Sequence, residues 1–351
     1  MTTSTSTDLV SVLLPVGPKS LADQQSRSWL QESLNSLLQQ SHQALEILII
    51  GPDETCNDDL SGLSLPDDSR IRQLQRPSSG IVAALNAGLD QARGNWIARM
   101  DADDLAHPTR IARQLGYLRE NPQIDLCSCD VEIFSDEGPI QLGNLEYMRW
   151  LNGLTQTQEI ARSLLIESPC PHPTWLMKHS LCQQLSGYRD SIWAEDYDFL
   201  LRTHMSGALM GKPPSINTPL LRWRNHDNRL TRLSERYSRS NFISAKAWAM
   251  AHTHLKERSA VIIGTGRNAK LMYDALNTHG ITVDYFVDLH THVKKRTLRH
   301  TEITNYKSIA ERVHGDALLV SVVTRYGART KLKHWFDEND FVEERDYVFA
   351  G

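Results

Sequence analysis

No apolar run in the 351-residue sequence approaches the about 18 residues that a membrane-spanning helix requires. The longest apolar stretches, Ile47–Ile50 and Ala317–Val323, have the length of strands. Residues 1–8 are rich in Ser and Thr and lack the basic and apolar regions of a secretory signal, so a disordered tail is expected there. These absences predict a cytoplasmic protein.

The sequence also has few cysteines and no excess of positive charge. The cysteines are odd in number, scattered and without a CxxC pair: Cys56, Cys127, Cys129, Cys170 and Cys182. This pattern indicates a reduced, intracellular protein without a zinc site. The formal net charge of -4 excludes a general nucleic-acid binder.

What the sequence does contain is an alternation of strand and helix patterns. The predicted strands are Leu9–Val16, Leu45–Ile50, Arg70–Leu74, Trp96–Met100, Ile124–Phe134 and Pro219–Arg224. Helical spacing occurs at Ser28–Gln40, Gly80–Arg93, His107–Glu120 and Asn228–Lys256. The alternation predicts an α/β fold with a mostly parallel sheet between helices, in which ligands sit beyond the carboxyl ends of the strands.

A second alternation starts near residue 257. Ala260–Gly264 is a predicted strand, and Gly264-Thr-Gly266 leads from it into a helical pattern. Asp288 ends the next predicted strand, at the distance where an acid meets a ribose hydroxyl. Gly264, Gly266 and Asp288 therefore form a possible second nucleotide site, and the alternative is a retained fold that binds nothing.

Three carboxylates lie within four residues at the end of the strand Trp96–Met100. Asp101, Asp103 and Asp104 repel one another, and a divalent cation such as Mn²⁺ or Mg²⁺ would neutralise them. The alternative is an acidic loop in which Asp104 or Thr109 caps the next helix. A second acidic pair, Glu195-Asp196, opens an amphipathic helix; it either favours the helix dipole or supplies a general base.

Four stretches resemble, in order and at plausible spacing, the motifs of the family 2 glycosyltransferases: Val10–Val16, Gly80–Leu89, Ile97–Asp104 and Ala194–Tyr197. The resemblance covers roughly residues 8–230 and implies an inverting, metal-dependent enzyme that transfers a sugar from a nucleotide-diphosphate donor. It implies a GT-A-type Rossmann-like mixed sheet flanked by helices. We predict a GT-A domain at 9–230, a linking helix at 231–256 and a smaller Rossmann-like α/β domain at 257–351.

The resemblance also implies roles for individual residues. Asp101 and Asp103 match the DxD motif, which contacts the nucleotide ribose and holds the metal on the diphosphate, and Asp104 extends that motif. Asp196, with Glu195 beside it, matches the catalytic base. Residues implied at the donor site are Pro15, Val16, Arg76, Gly80 and Asn86; His172 and Trp193 are implied on the acceptor side, and His226 at the metal or diphosphate.

The chain departs from the family after its second strand, where paired aspartates are usual. Asp53 is displaced by two positions, which leaves uridine, guanosine and thymidine open as the base, with a UDP-sugar as the first expectation. The Gln-x-x-Arg-Trp motif of processive synthases is absent, so a single-addition transferase is predicted. The alternatives are a sugar nucleotidyltransferase and a non-catalytic nucleotide-sugar-binding protein.

The expected acceptor is a glycan or a lipid-linked sugar in polysaccharide or glycan assembly. The segment Arg222–Arg258 is locally basic, which is typical of a solvated helix face. The alternative is peripheral contact with an anionic lipid surface at the inner face of the membrane.

Overall fold

The structure is a computed structural model that describes residues 8–17, 21, 23–51, 65–215, 218–290, 296–312, 317–325 and 327–351. The chain forms two compact units. The first contains the residues up to Ala161 with Pro169–Asp190 and Arg202–Leu233, and the second contains Arg162–Ser168, Ser191–Leu201 and Ser234–Gly351. The predicted domain limits at residues 230 and 256 stay a prediction.

Up to residue 233 the strands are β1 (Val10–Pro15), β2 (Leu45–Gly51), β3 (Ile71–Gln75), β4 (Trp96–Arg99), β5 (Leu105–Ala106), β6 (Ile124–Cys127), β7 (Val131–Phe134), β8 (Leu176–Lys178), β9 (Leu209–Gly211) and β10 (Leu221–Arg224). The helices are α1 (Gln24–Leu38), α2 (Ile81–Gln91), α3 (Arg110–Glu120), α4 (Leu142–Gly153), α5 (Thr157–Ser163), α6 (His179–Gln184), α7 (Glu195–Met205) and α8 (Leu230–Leu233).

A mixed sheet in the order β3-β2-β1-β4-β8-β6-β9 forms the centre of the first unit. Strands β3, β2, β1 and β4 are parallel, and β8 is antiparallel to both of its neighbours. Every residue of β2 is buried, as expected for a parallel strand covered on both faces. Gly88 of α2 permits close packing, since a Cβ there would lie 2.7 Å from the Ile50 side chain. The predicted α/β sheet is confirmed.

A smaller sheet, in the order β5-β10-β7, positions the segment that follows β4. The single strand predicted over Ile124–Phe134 is wrong, because the chain changes sheets within it. The Ser128 N–H donates to Gly211 of β9, whereas the Asp130 carbonyl accepts from Leu220 at the start of β10. Strands β8 and β9 have three residues each, too few to show a sequence period.

The second unit contains β11 (Ala260–Ile263), β12 (Val283–Asp288), β13 (Thr297–Leu298), β14 (Thr301–Asn305), β15 (Leu318–Ser321) and β16 (Tyr347–Phe349), with α9 (Arg239–His252), α10 (Arg267–Thr278), α11 (Ile309–Arg312) and α12 (Ala328–Glu338). Its sheet order is β13-β14-β12-β11-β15-β16, and only β13 pairs antiparallel. The predicted smaller Rossmann-like α/β fold is confirmed.

The continuous helix predicted over 228–256 is wrong. Helix α8 ends at Leu233, a short 3₁₀ turn covers Glu235–Tyr237, and α9 begins at Arg239. The hydroxyls of Ser234 and Ser238 accept backbone N–H groups of the turn and of α9, so each serine starts a new helical segment. Within the residues that the structure describes, no helix is both long and apolar enough to cross a membrane.

Candidate functional site

The acidic cluster lies immediately beyond the carboxyl end of β4. Carboxylate oxygens of Asp101, Asp103 and Asp104 all lie within 4.8 Å of one another. The side chains of Asp101 and Asp103 are 33% and 29% exposed, whereas Asp104 is fully buried. The cluster therefore has two solvent-accessible carboxylates above a third that is sealed into the fold.

Asp104 is the most constrained of the three. Its Oδ1 accepts the backbone N–H of Arg224 at 2.8 Å, and its Oδ2 is buried without a hydrogen-bond partner among the residues that the structure describes. Burial, followed by the charges of Asp103 and Asp101, raises the pKa of Asp104 well above its usual value. A buried carboxylate oxygen without a protein partner, beside two further carboxylates, fits a divalent cation that prefers oxygen ligands.

The capping interpretation of this loop is wrong. Asp104 binds the N–H of Arg224 on β10, and the side chain of Thr109 makes no capping hydrogen bond to α3.

His226 reaches the cluster because β5 pairs with β10. Its Nε2 donates to Asp103 Oδ2 at 2.7 Å, and its Nδ1 is buried with no hydrogen-bond partner in the described part of the chain. The imidazole lies 4.8 Å from the Trp29 ring, between centroids. The structure thus brings together the four residues predicted to hold a metal.

Arg224 is a residue that the sequence analysis missed. Its Nε donates to the backbone carbonyl of Asp103 at 2.7 Å, and its guanidinium pairs with Glu32 at 2.7 Å and with Asp136. The side chain is 2% exposed and lies over the Trp29 ring. Its position two residues before His226 on an extended segment was the only sequence signal, since alternate residues share a face.

Two further arginines support the strand end. Arg99 Nη2 binds Asp101 Oδ1 at 2.6 Å. Arg110 is fully buried, donates to the carbonyl of Arg99 at 2.8 Å, and has its pKa lowered by that burial. The sequence analysis named neither residue, and each is a fixed positive charge beside the acidic loop.

The residues predicted for the donor site lie at the ends of parallel strands. Pro15 ends β1, and the N–H of the buried Val16 donates to Ile50 at 2.8 Å. Arg76 follows β3 and is buried, and no described residue hydrogen-bonds its Nε. Gly80 precedes α2 with φ of +103°, a backbone conformation that favours glycine. Asp53 lies outside the described residues.

Asn86 and His172 contact the same tyrosine. The Asn86 amide donates to the carbonyl of Tyr188 at 2.9 Å and accepts its N–H at 2.8 Å. His172 is buried, and its Nε2 lies 2.9 Å from the Tyr188 hydroxyl. Burial, with a smaller effect of Arg99, holds the pKa of His172 well below its usual value. These hydrogen bonds give both side chains a structural role. The placement of Asn86 at the sugar-donor site and of His172 on the acceptor side stays a prediction.

The second acidic pair begins α7. Glu195 is 2% exposed, and both of its carboxylate oxygens accept the Tyr237 hydroxyl, at 2.9 and 3.0 Å. Asp196 is partly exposed, and its Oδ1 accepts the N–H of Tyr197 at 2.7 Å. Trp193 donates from its indole to Asp198 at 3.0 Å. Of the two acids, Asp196 is the one that solvent reaches.

The predicted second nucleotide site lies at the end of β11. Gly264 has φ of +124°, and a Cβ there would lie 3.3 Å from Val322. Gly266 precedes α10, and a Cβ on it would meet nothing within 4 Å. The Asp288 carboxylate accepts the Thr265 hydroxyl at 3.4 Å and the N–H of His290 at 3.0 Å. The tight turn is present, and ligand binding there stays a prediction.

The sequence profile of Glycosyl transferase family 2 matches residues 24–185. This segment includes β2, β4 and the acidic loop. Over this segment the chain is similar to the family 2 glycosyltransferases. The predicted resemblance is therefore confirmed for this part of the chain.

Similar proteins extend the match beyond that segment. An uncharacterised glycosyltransferase of Haemophilus influenzae is 29% identical over 213 residues, which are 58% of this chain; the chain spans 63% of that protein's length. The amylovoran biosynthesis glycosyltransferase AmsE of Erwinia amylovora is 25% identical over 200 residues, 56% of this chain and 72% of AmsE. Both relatives are named as glycosyltransferases, which agrees with the match to the family 2 profile.

A solved structure gives the same fold. Residues 1–349 of TarS from S. aureus superpose with a TM-score of 0.51 at 14% identity, over 77% of this chain and 71% of that chain. This likeness confirms the predicted GT-A-type mixed sheet.

Proposed function

We propose that the chain is an inverting glycosyltransferase that moves a sugar from a nucleotide-diphosphate donor to an acceptor hydroxyl. The observation that carries the proposal is the acidic cluster at the end of β4, with a buried and unpartnered oxygen on Asp104. The family 2 domain and the glycosyltransferase relatives support it.

In this proposal Asp101, Asp103 and Asp104 hold Mn²⁺ or Mg²⁺, and His226 orients Asp103 through its 2.7 Å hydrogen bond. A bound divalent cation would offset the charge that develops on the leaving diphosphate. Arg76 supplies a further positive charge, since its buried Nε has no hydrogen-bond partner among the described residues. The main chain at Pro15 and Val16, at the end of β1, is the proposed edge of the base pocket.

Asp196 is the proposed catalytic base. The acceptor oxygen attacks the anomeric carbon, its proton passes to Asp196, and the bond to the diphosphate breaks with its electron pair on the diphosphate. A single displacement of this kind inverts the anomeric configuration. Glu195 is the weaker candidate, because both of its oxygens already accept the Tyr237 hydroxyl.

The proposed setting is polysaccharide assembly. It is supported by the relative AmsE, whose name places it in amylovoran biosynthesis. The preferred donor in this proposal is a UDP-sugar, with GDP- and dTDP-sugars as the alternatives. The proposed acceptor is a glycan or a lipid-linked sugar.

The test is a thermal-shift panel of UDP, GDP, dTDP and CDP, each with and without Mn²⁺. A ligand at 100 times its Kd stabilises the folded protein by about 2.7 kcal/mol. We expect a Mn²⁺-dependent shift with one diphosphate in the unaltered protein that disappears in Asp103→Ala. Asp90→Ala, which removes an exposed carboxylate of α2, is the matched control and should keep the shift.

A second assay tests catalysis itself. Hydrolysis of the matching sugar donor, followed by ¹H NMR of the released sugar, reports the anomeric configuration and the rate. Asp196→Asn should bind the diphosphate normally and lose turnover by about 10²–10⁴-fold. Normal turnover in Asp196→Asn would refute the assignment of the base, and the absence of any diphosphate shift would refute the transferase proposal.

A further inference from the structure

One face of α1 carries a tryptophan and two serines. Trp29, Ser33 and Ser36 are spaced by four and three residues, so they lie on the same face of the helix. A separate stripe of leucines on α1 joins the hydrophobic core of the first unit. Trp29 and Ser33 are buried, and a buried hydroxyl requires a hydrogen-bond partner. The partner of this face is the acidic loop, residues 101–106.

The two serines hold the main chain of the acidic loop at both of its ends. Ser33 Oγ donates to the carbonyl of Asp101 at 2.9 Å, and Ser36 Oγ accepts the N–H of Ala106 at 3.0 Å. Both bonds use backbone atoms, so they fix the loop without occupying its carboxylates. Because the carboxylates repel one another, these bonds oppose the outward movement of the loop that the repulsion favours.

Trp29 contacts the histidine beside the same loop. Its ring centroid lies 4.8 Å from that of His226, and its indole N–H donates to Asp136 Oδ2 at 3.0 Å, which fixes the plane of the indole. A histidine at a metal site is usually oriented by a hydrogen bond from its second ring nitrogen. No described residue supplies that bond to Nδ1 of His226. The contact with Trp29 is therefore left to orient the imidazole whose Nε2 bonds Asp103.

We propose that Ser33 and Trp29 are positioning residues for the metal site. Ser33 fixes Asp101 through its carbonyl, and Trp29 fixes Asp103 through the imidazole of His226. Each acts through another residue, so neither is a catalytic residue. This inference rests on the proposed transferase function, because it concerns the metal that this function places at the acidic loop.

The effect depends on how well the site is formed before the metal binds. Ligands that are held in place beforehand lose little conformational freedom when the cation arrives. Removal of a residue that orients a metal ligand typically lowers metal affinity by about 10–100-fold. The loss of one hydroxyl at Ser33 leaves the leucine stripe of α1 in the core, so the fold is expected to persist.

The experiment is a titration of the full-length protein with Mn²⁺, in which the EPR signal of free Mn²⁺ reports binding. It is run with Mn²⁺ alone and with each diphosphate of the thermal-shift panel. Ser33→Ala should raise the Kd of Mn²⁺ by about tenfold, and Trp29→Leu should do the same. Trp29→Phe keeps an aromatic face against His226 and should retain most of the affinity. Ser28→Ala is the matched control on α1, since the Ser28 hydroxyl lies 3.4 Å from the Glu32 carboxylate and not at the loop, and its Kd should be unchanged.

Urea unfolding without metal separates positioning from a purely structural role. A lower unfolding midpoint with an unchanged Kd in Ser33→Ala and Trp29→Leu would show that both residues only stabilise the fold, which overturns the inference. An equal rise of the Kd in Ser28→Ala would assign the effect to α1 as a whole and also overturns it. Mn²⁺ binding and a diphosphate shift that are the same in every protein overturn the inference alone. No Mn²⁺ binding by the unaltered protein overturns the metal site of the proposed function, and with it both proposals.

Discussion

Burial of His172 should make the stability of the protein depend on pH. Its imidazole lies against Trp175 and Tyr188, with ring centroids 4.4 and 5.4 Å away, and burial keeps its pKa well below the ordinary value for histidine. In the unfolded chain the same group protonates near pH 6.5. The unfolded state therefore binds the additional proton as pH falls below 6.5, and the folded state loses stability there.

The size of the effect follows from that linkage. Between about pH 7 and pH 5.5, one histidine that protonates only on unfolding lowers the free energy of unfolding by about 1.3 kcal/mol. Urea unfolding of the unaltered protein and of His172→Gln at both pH values measures it. The variant is expected to be less stable at both, but its loss between them should be smaller by about that amount.

His290→Gln is the control, because His290 is exposed and its removal should leave the loss unchanged. Equal pH dependence of the unaltered protein and His172→Gln would show that His172 binds its proton as readily in the fold as in the unfolded chain, and the argument from burial would fail.

Four further substitutions test the packing of the first unit. Asp104→Asn keeps an acceptor for the N–H of Arg224 and removes a buried charge, so it should raise the thermal midpoint without metal and abolish the Mn²⁺ shift. Arg224→Met should lower the free energy of unfolding, measured with urea, by about 2–4 kcal/mol. Most of this loss comes from the carbonyl of Asp103, which loses its hydrogen-bond donor. The two carboxylate partners of Arg224 are 45% and 44% exposed, so they can be rehydrated. Gly187→Ala should cost about 1–3 kcal/mol, since φ is +69° and its Cβ would lie 2.5 Å from an amide oxygen. Gly116 lies inside α3 with open space around it, so Gly116→Ala should raise the free energy of unfolding by about 0.5–1 kcal/mol. Melting temperatures that shift in the same direction for Gly187→Ala and Gly116→Ala would contradict this account.

The sequence predicts those parts of the site that neighbouring residues in the chain form by themselves. Three aspartates after a buried strand are visible in the chain, and parallel-sheet geometry places them at a ligand-binding edge. The contact of His226 with Asp103 joins residues 123 positions apart, and only the resemblance to a family suggested it.

Long-range pairing is what sequence reasoning cannot supply. Arg224 gains its role because β10 pairs with β5, and no periodicity within a four-residue strand specifies that partner. The switch of the chain between sheets at Ser128–Asp130 depends on the neighbours Gly211 and Leu220, which are far along the sequence. Strands of three residues, such as β8, form only because the sheet around them is already present.

The contrast between Glu195 and Asp196 shows how the fold separates two adjacent acids. Both start α7, where the helix dipole favours negative charge, so only the family resemblance, and no local feature of the sequence, prefers Asp196. The fold seals Glu195 against the Tyr237 hydroxyl and leaves Asp196 partly exposed. A general base must reach the proton of an incoming hydroxyl, and only the exposed acid can do so without breaking a buried hydrogen bond. The tyrosine that makes this distinction lies in the 3₁₀ turn Glu235–Tyr237, within the segment predicted as a continuous linking helix, and its contact with Glu195 supports Asp196 as the proposed base.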